Sequence, residues 1–216
     1  MSKLITLTQP ESAAAEAYRT LRTNLLFINP SKPPQVLLLT TPGATGEVTE
    51  KSLAAANLAV AFAQAGRKTL LLDCDLRHPQ QHSLWNIAND VGIAAALTQP
   101  NQSAYQSVGV TQLQVLPAGP RTANPADLFS SPQMAAFLQL ARQQADIIII
   151  DAPPILAVTD AILLGGQVDG VLLTLTASKS QRTQAQRAYD VLNKAQLSIL
   201  GAVLTNAPND GAMLKY

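Results

Sequence analysis

Short apolar runs with polar or small residues at their ends set the framework of this chain. Val36 to Thr40, Leu70 to Leu72 within a predicted strand 68 to 73, Leu113 to Leu116 and Ile147 to Asp151 carry short, nearly unbroken apolar runs. Runs of this length and character belong to strands buried on both faces of a parallel sheet. Two more strands are predicted over Gly170 to Leu175 and Ile199 to Leu204. Between them an alanine-rich segment from Lys51 to about residue 65, ended by Gly66, predicts a helix. Further helices are predicted near Pro79 to Trp85, over Pro132 to Gln143, and from about Gln181 to Ala195. Pro42 to Glu50 and the stretch after Trp85 up to Gln112 read as loops. Strands that alternate with helices give an α/β fold, a mostly parallel sheet with helices on both faces.

Composition narrows this picture. The 216 residues are 47% hydrophobic with a net charge of +1, enough for one well-buried domain and with no basic stripe to hold a nucleic acid. The single cysteine, Cys74, excludes a disulfide within the chain and fits a cytoplasmic location. It stands between two aspartates, which would raise its thiol pKa, so it reads as a packing residue. No signal peptide is read, and no apolar run reaches the roughly 18 residues of a membrane span. Attachment to a membrane is therefore expected through a partner. Only Ser31-Lys32-Pro33-Pro34 resembles a linker. It divides the chain into an N-terminal helical segment (1–30), an α/β domain (31–208) and a short tail (209–216).

The candidate chemistry sits at strand ends. Leu72 leads into Asp73-Cys74-Asp75, and Ile147-Ile148-Ile149-Ile150 leads into Asp151. Carboxylates at the C-terminal ends of parallel strands stand at the rim where open α/β sheets bind ligands. A single such aspartate reads equally well as a helix cap or a solvated strand end. Two runs together point to a cluster that holds Mg²⁺, directly or through water, beside bound phosphates.

A phosphate cradle is written less plainly. Strand, glycine-containing loop, Lys51-Ser52 and helix follow one another in the P-loop order, with Gly43 and Gly46 in the loop. Such a loop turns backbone N–H groups toward phosphates, with a lysine on the outer phosphates and a hydroxyl on the metal. Here Glu50 stands where a glycine ordinarily precedes the lysine, and Gly43 and Gly46 are at unusual distances. Glu47 and Glu50 would repel phosphate, and Glu50→Gly is expected to tighten its binding.

These motifs resemble those of the bacterial tyrosine kinase family, the P-loop kinases that regulate capsule and exopolysaccharide export. Lys51-Ser52 with Ala55-Ala56-Asn57-Leu58-Ala59 is similar to the family's Walker A helix, and Leu72 to Pro79 to its second, family-specific Walker motif. Ile150-Asp151-Ala152-Pro153-Pro154, continuing to Thr159-Asp160-Ala161, resembles the Walker B strand and the turn behind it. Glu16-Ala17-Tyr18-Arg19-Thr20-Leu21-Arg22 matches the segment by which these proteins assemble into rings. Asn124 to Leu128 and Gly201 to Asn206 fit later landmarks, so the likeness runs from about Glu16 to Asn206.

The resemblance implies ATP and Mg²⁺ as cofactors and assigns roles one by one. Gly46 belongs to the phosphate loop. Lys51 contacts the outer phosphates, Ser52 the Mg²⁺, and Asn206 the neighbourhood of the adenine. Asp75 lies near the metal, Asp151 binds metal-bound water, and Asp73 activates the attacking hydroxyl. Glu16, Arg19 and Arg22 form a subunit contact in a homo-oligomeric ring, where spacing alone would make them a solvated flank. Tyr18, Leu21, Leu25 and Leu26 make the apolar stripe beside them. A transmembrane polysaccharide co-polymerase is the implied partner, which holds the protein at the inner face of the membrane.

Two departures keep alternatives open. One is the glutamate-bearing loop. The other is the tail, where the family carries a tyrosine cluster and this chain carries Tyr216 alone as phospho-acceptor. A nucleotide-impaired regulatory scaffold on the same fold is one alternative, and a ParA/MinD-like ATPase is another. His78 and His82 lack a third ligand for zinc and read as solvated or phosphate-adjacent. Arg77 either pairs with Asp73 and Asp75 or faces substrate, Trp85 reads as packing, and Arg182 and Arg187 as surface charges.

Overall fold

The computed structural model describes residues 4–43, 48–98 and 104–207. Its elements, in chain order, begin with α1 (Ile5–Thr8), α2 (Ala13–Phe27), β1 (Val36–Thr40), α3 (Val48–Gln64) and β2 (Thr69–Asp73). There follow α4 (Gln81–Trp85), α5 (Ile93–Thr98), β3 (Gln106–Ser107), β4 (Leu113–Leu116), α6 (Pro125–Ser130) and α7 (Pro132–Gln144). The chain closes with β5 (Ile147–Asp151), α8 (Asp160–Gly165), β6 (Gly170–Thr176), α9 (Arg182–Lys194) and β7 (Ile199–Thr205).

The strands form one seven-stranded sheet in the order β3-β4-β2-β5-β1-β6-β7. All neighbours are parallel except β3, which runs antiparallel to β4 at the edge. Strands β1, β2 and β5 are buried at every position, as continuous apolar runs require of a sheet covered on both sides. Alternate residues of each strand feed two separate cores. Leu37, Leu39, Leu71, Ile147 and Ile149 pack under α2 and α3. Val36, Leu38, Leu70, Leu72, Ile148 and Ile150 pack against α5 to α9. The alanines of α3 (Ala54, Ala55, Ala56, Ala59) are buried, and their small side chains let this helix lie close on the sheet.

Two expectations need correction. Helix α3 begins at Val48, not at Lys51, so Glu50 lies in its first turn rather than in a loop. An acid there is favoured by the unpaired N–H groups and dipole of the helix start, a local gain that glycine-based spacing rules do not register. The stretch from Trp85 to Gln112 holds helix α5 and strand β3; elements of six and two residues are too short for an apolar repeat to declare itself.

Candidate functional site

The sheet order brings distant segments together. Strand β5 runs between β1 and β2, with Leu39 beside Asp151 and Asp151 beside Asp73 in register. The helix that follows β1 therefore starts directly over the ends of the two aspartate-bearing strands. Lys51 and Ser52 on α3, Asp73, Asp75, Asp151 and Gln81 are all buried.

Lys51 Nζ donates to Asp151 Oδ1 and lies 3.5 Å from Asp75 Oδ2. The other oxygen of Asp151 accepts from Gln81 Nε2 at 2.8 Å. Asp73 is held by backbone: its Oδ2 accepts from the N–H groups of Gln80 and Gln81 at 3.0 and 2.9 Å, and its Oδ1 from that of Asp75 at 3.3 Å. Asp75 Oδ1 accepts from the His78 N–H at 3.1 Å. In this cluster two buried oxygens, Ser52 Oγ and Asp75 Oδ2, have no hydrogen-bond partner among the described residues.

One ammonium thus faces three carboxylates where water is excluded. Burial pushes the Asp73 carboxyl up to about 8, reinforced by the charge of Asp151. Burial also raises Asp75, with Lys51 opposing. For Lys51 burial acts downward, but Asp151 and Asp75 outweigh it and hold the ammonium above its usual value. Burial first, then the neighbouring aspartates, raise the Cys74 thiol, as expected from its position. Three carboxyl groups around one ammonium, with the Ser52 hydroxyl free of any hydrogen bond among the described residues and Asp75 Oδ2 held only by its 3.5 Å ion pair with Lys51, fit a hard divalent cation. No three His, Cys, Asp or Glu among the described residues form a metal cage of their own. Mg²⁺ needs none, since it keeps waters and takes phosphate oxygens as ligands.

The remaining residues fall in different places. Arg77 pairs with neither Asp73 nor Asp75; its guanidinium holds buried Asp160 at 3.0 and 3.2 Å, where α8 begins. His78, Arg182 and Arg187 are exposed, and Trp85 packs in the α2/α3 core. Asn206 follows β7 in the left-handed region (φ 53°) and is exposed. On α2, Arg19 pairs with Glu16 at 2.6 Å, while Arg22 Nη1 donates to the Ala61 carbonyl of α3 at 2.9 Å. Burial and then the charge of Glu50 raise the Tyr18 hydroxyl to about 12, so α2 and the start of α3 share one electrostatic environment. Gly46, Glu47 and Tyr216 lie outside the described residues. Gln81 was missed. Nothing in Pro79-Gln80-Gln81-His82 marks it, and only the folded chain carries its amide to Asp151. Two surface depressions of about 500 and 440 Å³ sit at the other end of the sheet, one lined by Thr69 and Gln112 and the other by Pro33 and Arg142. Neither holds a residue of this cluster.

A Lys-Ser pair near the start of a helix behind a parallel strand, faced by aspartates from adjacent strands, defines a P-loop NTPase. Residues 37–207 match the family described as ParA: NUBPL iron-transfer P-loop NTPase. MinD from Pyrococcus horikoshii, solved with Mg-ADP, shares the fold with a TM-score of 0.62 at 23% identity, over 79% of this chain and 69% of that one. Within the class, the chain belongs to the bacterial tyrosine kinase family. It is 39% identical over 203 residues to tyrosine-protein kinase YwqD of Bacillus subtilis (strain 168), which covers 93% of this chain and 84% of that protein. The kinase domain of the Escherichia coli tyrosine kinase Etk superposes with a TM-score of 0.87 at 28% identity, over 99% of this chain and 83% of that domain. Among the described residues no helix is long and apolar enough to cross a membrane.

Proposed function

We propose that this chain is an ATP- and Mg²⁺-dependent protein-tyrosine kinase that phosphorylates its own copies and regulates capsular or exopolysaccharide synthesis. The observation that carries the reading is Lys51 enclosed by Asp75 and Asp151 at the end of β1-β5-β2, in a chain whose relatives are tyrosine kinases. Lys51 would leave its carboxylates for the outer phosphates. Ser52 Oγ and Asp75 Oδ2, the two oxygens of this cluster without a hydrogen-bond partner among the described residues, would hold Mg²⁺ with Asp151 behind them. Bound there, Mg²⁺ supplies charge neutralisation and orientation of the phosphates. Asp73, whose carboxyl is raised to about 8, is suited to take the tyrosine proton near neutral pH. Asn206 would border the adenine and Gly46 the phosphates. Tyr216 would be the acceptor, reached by a neighbouring copy in a ring built through Glu16, Arg19 and Arg22 of the 1–30 segment. The capsule role, the transmembrane co-polymerase partner and the position at the inner membrane face rest on the family resemblance.

Calorimetric titration of the purified protein with ADP and Mg²⁺ tests this reading. Micromolar binding is expected, lost in Lys51→Ala and in Asp151→Ala. ATP with Mg²⁺ should then yield phosphotyrosine that disappears in Tyr216→Phe. No binding in the wild type would favour a second reading, the nucleotide-impaired scaffold, which Glu50 in the first turn of α3 supports. Hydrolysis without phosphotyrosine would favour the ParA/MinD-like ATPase.

A further inference from the structure

Gln81 has a part in this site that the tyrosine-kinase reading does not assign. Its side chain is fully buried, and both amide hydrogens and the amide oxygen are engaged. Nε2 donates to Asp151 Oδ2 at 2.8 Å and to the Ser52 carbonyl at 3.0 Å, and Oε1 accepts from Trp85 Nε1 at 3.1 Å. The orientation of the amide follows from chemistry. An indole N–H can only donate, so the amide oxygen must face Trp85. The NH₂ group is then left for two groups that can only accept. The backbone N–H of the same residue donates to Asp73 Oδ2. One residue thereby touches the helix start that carries Lys51 and Ser52, the end of β5 and the end of β2.

Removing the amide would leave Asp151 Oδ2 and the Trp85 indole N–H without these hydrogen bonds, and a buried group left unpaired costs about 1–3 kcal/mol, so the groups around it and not packing volume call for glutamine here. What it does determine is the division of the Asp151 carboxylate. Lys51 takes one oxygen and Gln81 the other, which fixes the carboxylate plane and its distance from Ser52. We propose that Gln81 is a positioning residue, anchored on Trp85, that sets the Asp151 carboxylate and the Ser52 peptide relative to each other for the divalent cation. Partners of this kind orient the groups that meet a metal, and their loss ordinarily weakens metal affinity 10–100-fold. The inference rests on the metal-nucleotide reading above.

Trp85 is the only tryptophan in the chain, so an ¹⁵N-labelled sample gives one indole N–H cross-peak that reports the anchor directly. In protein free of metal and nucleotide, Asp151→Asn should move this peak in the wild-type background and leave it in place in a Gln81→Met background. Equal shifts in both backgrounds, or none in either, overturn the proposal. With ADP held constant, Gln81→Met should weaken the apparent Mg²⁺ affinity about tenfold, while ADP binding without metal stays as in wild type. Equal weakening of both, or of neither, also overturns it. If the wild type binds no Mg-ADP, the proposed function fails while the metal-free arm still decides the role of Gln81. If Gln81→Met does not fold by circular dichroism, Trp85→Phe removes only the anchor. Its apparent Mg²⁺ affinity should fall in the same direction, and an unchanged value overturns the proposal.

Discussion

Glu50 shows how one side chain can serve the helix and oppose the ligand. In the first turn of α3 its charge meets the unpaired N–H groups of the helix start, the same groups a P-loop offers to phosphate. Replacing it should therefore separate two effects. Glu50→Gly is expected to tighten ADP binding about fivefold, the equivalent of removing a repulsion of about 1 kcal/mol. The same change should lower stability by up to about 1 kcal/mol, since glycine is a poor helix former. Calorimetric titration and a thermal melt of the same sample check both. Unchanged affinity would mean that this loop cradles phosphate in another geometry, or not at all.

At the scale of an element, α2 has two flanks with different obligations. Leu25 and Ala15 are buried, and Tyr18, Leu21 and Leu26 pack on the core shared with α3. Arg22 is tied to α3 through the Ala61 carbonyl, so part of the predicted assembly motif is occupied within its own subunit. Glu16 and Arg19 pair on the surface, with side chains 55% and 33% exposed. The three positions should accordingly respond differently. Arg22→Ala is expected to cost about 1–3 kcal/mol of stability by orphaning a charged hydrogen bond. Glu16→Ala with Arg19→Ala should leave the melting temperature nearly unchanged, because exposed pairs contribute little, yet reduce the mass seen by light scattering. A triple alanine variant that keeps the wild-type mass would remove α2 from the assembly.

For the molecule as a whole, buried charge sets the response to pH. An acid raised in the folded state holds a proton that the unfolded chain has released. The contribution of Asp73, raised from 3.8 to about 8, is thus complete below 3.8 and lost as the pH climbs toward 8. Asp169 works in the opposite sense. Burial pushes it up, but Arg142 and the N–H groups of Val36 and Gln35 outweigh this and hold it below 3.8. Its contribution is present above 3.8 and lost as the pH falls through the lower folded value. Metal-free protein should therefore melt highest at mildly acidic pH. Asp73→Asn should flatten the alkaline limb, where each pH unit carries up to about 1.4 kcal/mol and each kcal/mol about 2–4 °C. An unchanged limb in differential scanning calorimetry would place the titrating group elsewhere.

The apolar runs determined by themselves that β1, β2, β4, β5, β6 and β7 exist and that the sheet is mostly parallel; β1, β2 and β5 are plainest because a strand buried on both faces leaves no polar position to disguise it, while β7 at the edge is partly exposed and declares itself by its apolar run alone. The aspartates at the ends of two such runs also marked one rim of the sheet before any strand order was known. Only the tertiary structure decided that β5 lies between β1 and β2, which is why Asp151 meets Lys51 across 100 positions of sequence. Strand order depends on how crossovers pack, and no local pattern records it. The same holds for Arg77, which met Asp160 instead of its neighbours in sequence, and for Gln81, whose amide is an unremarkable polar group until the fold closes around it.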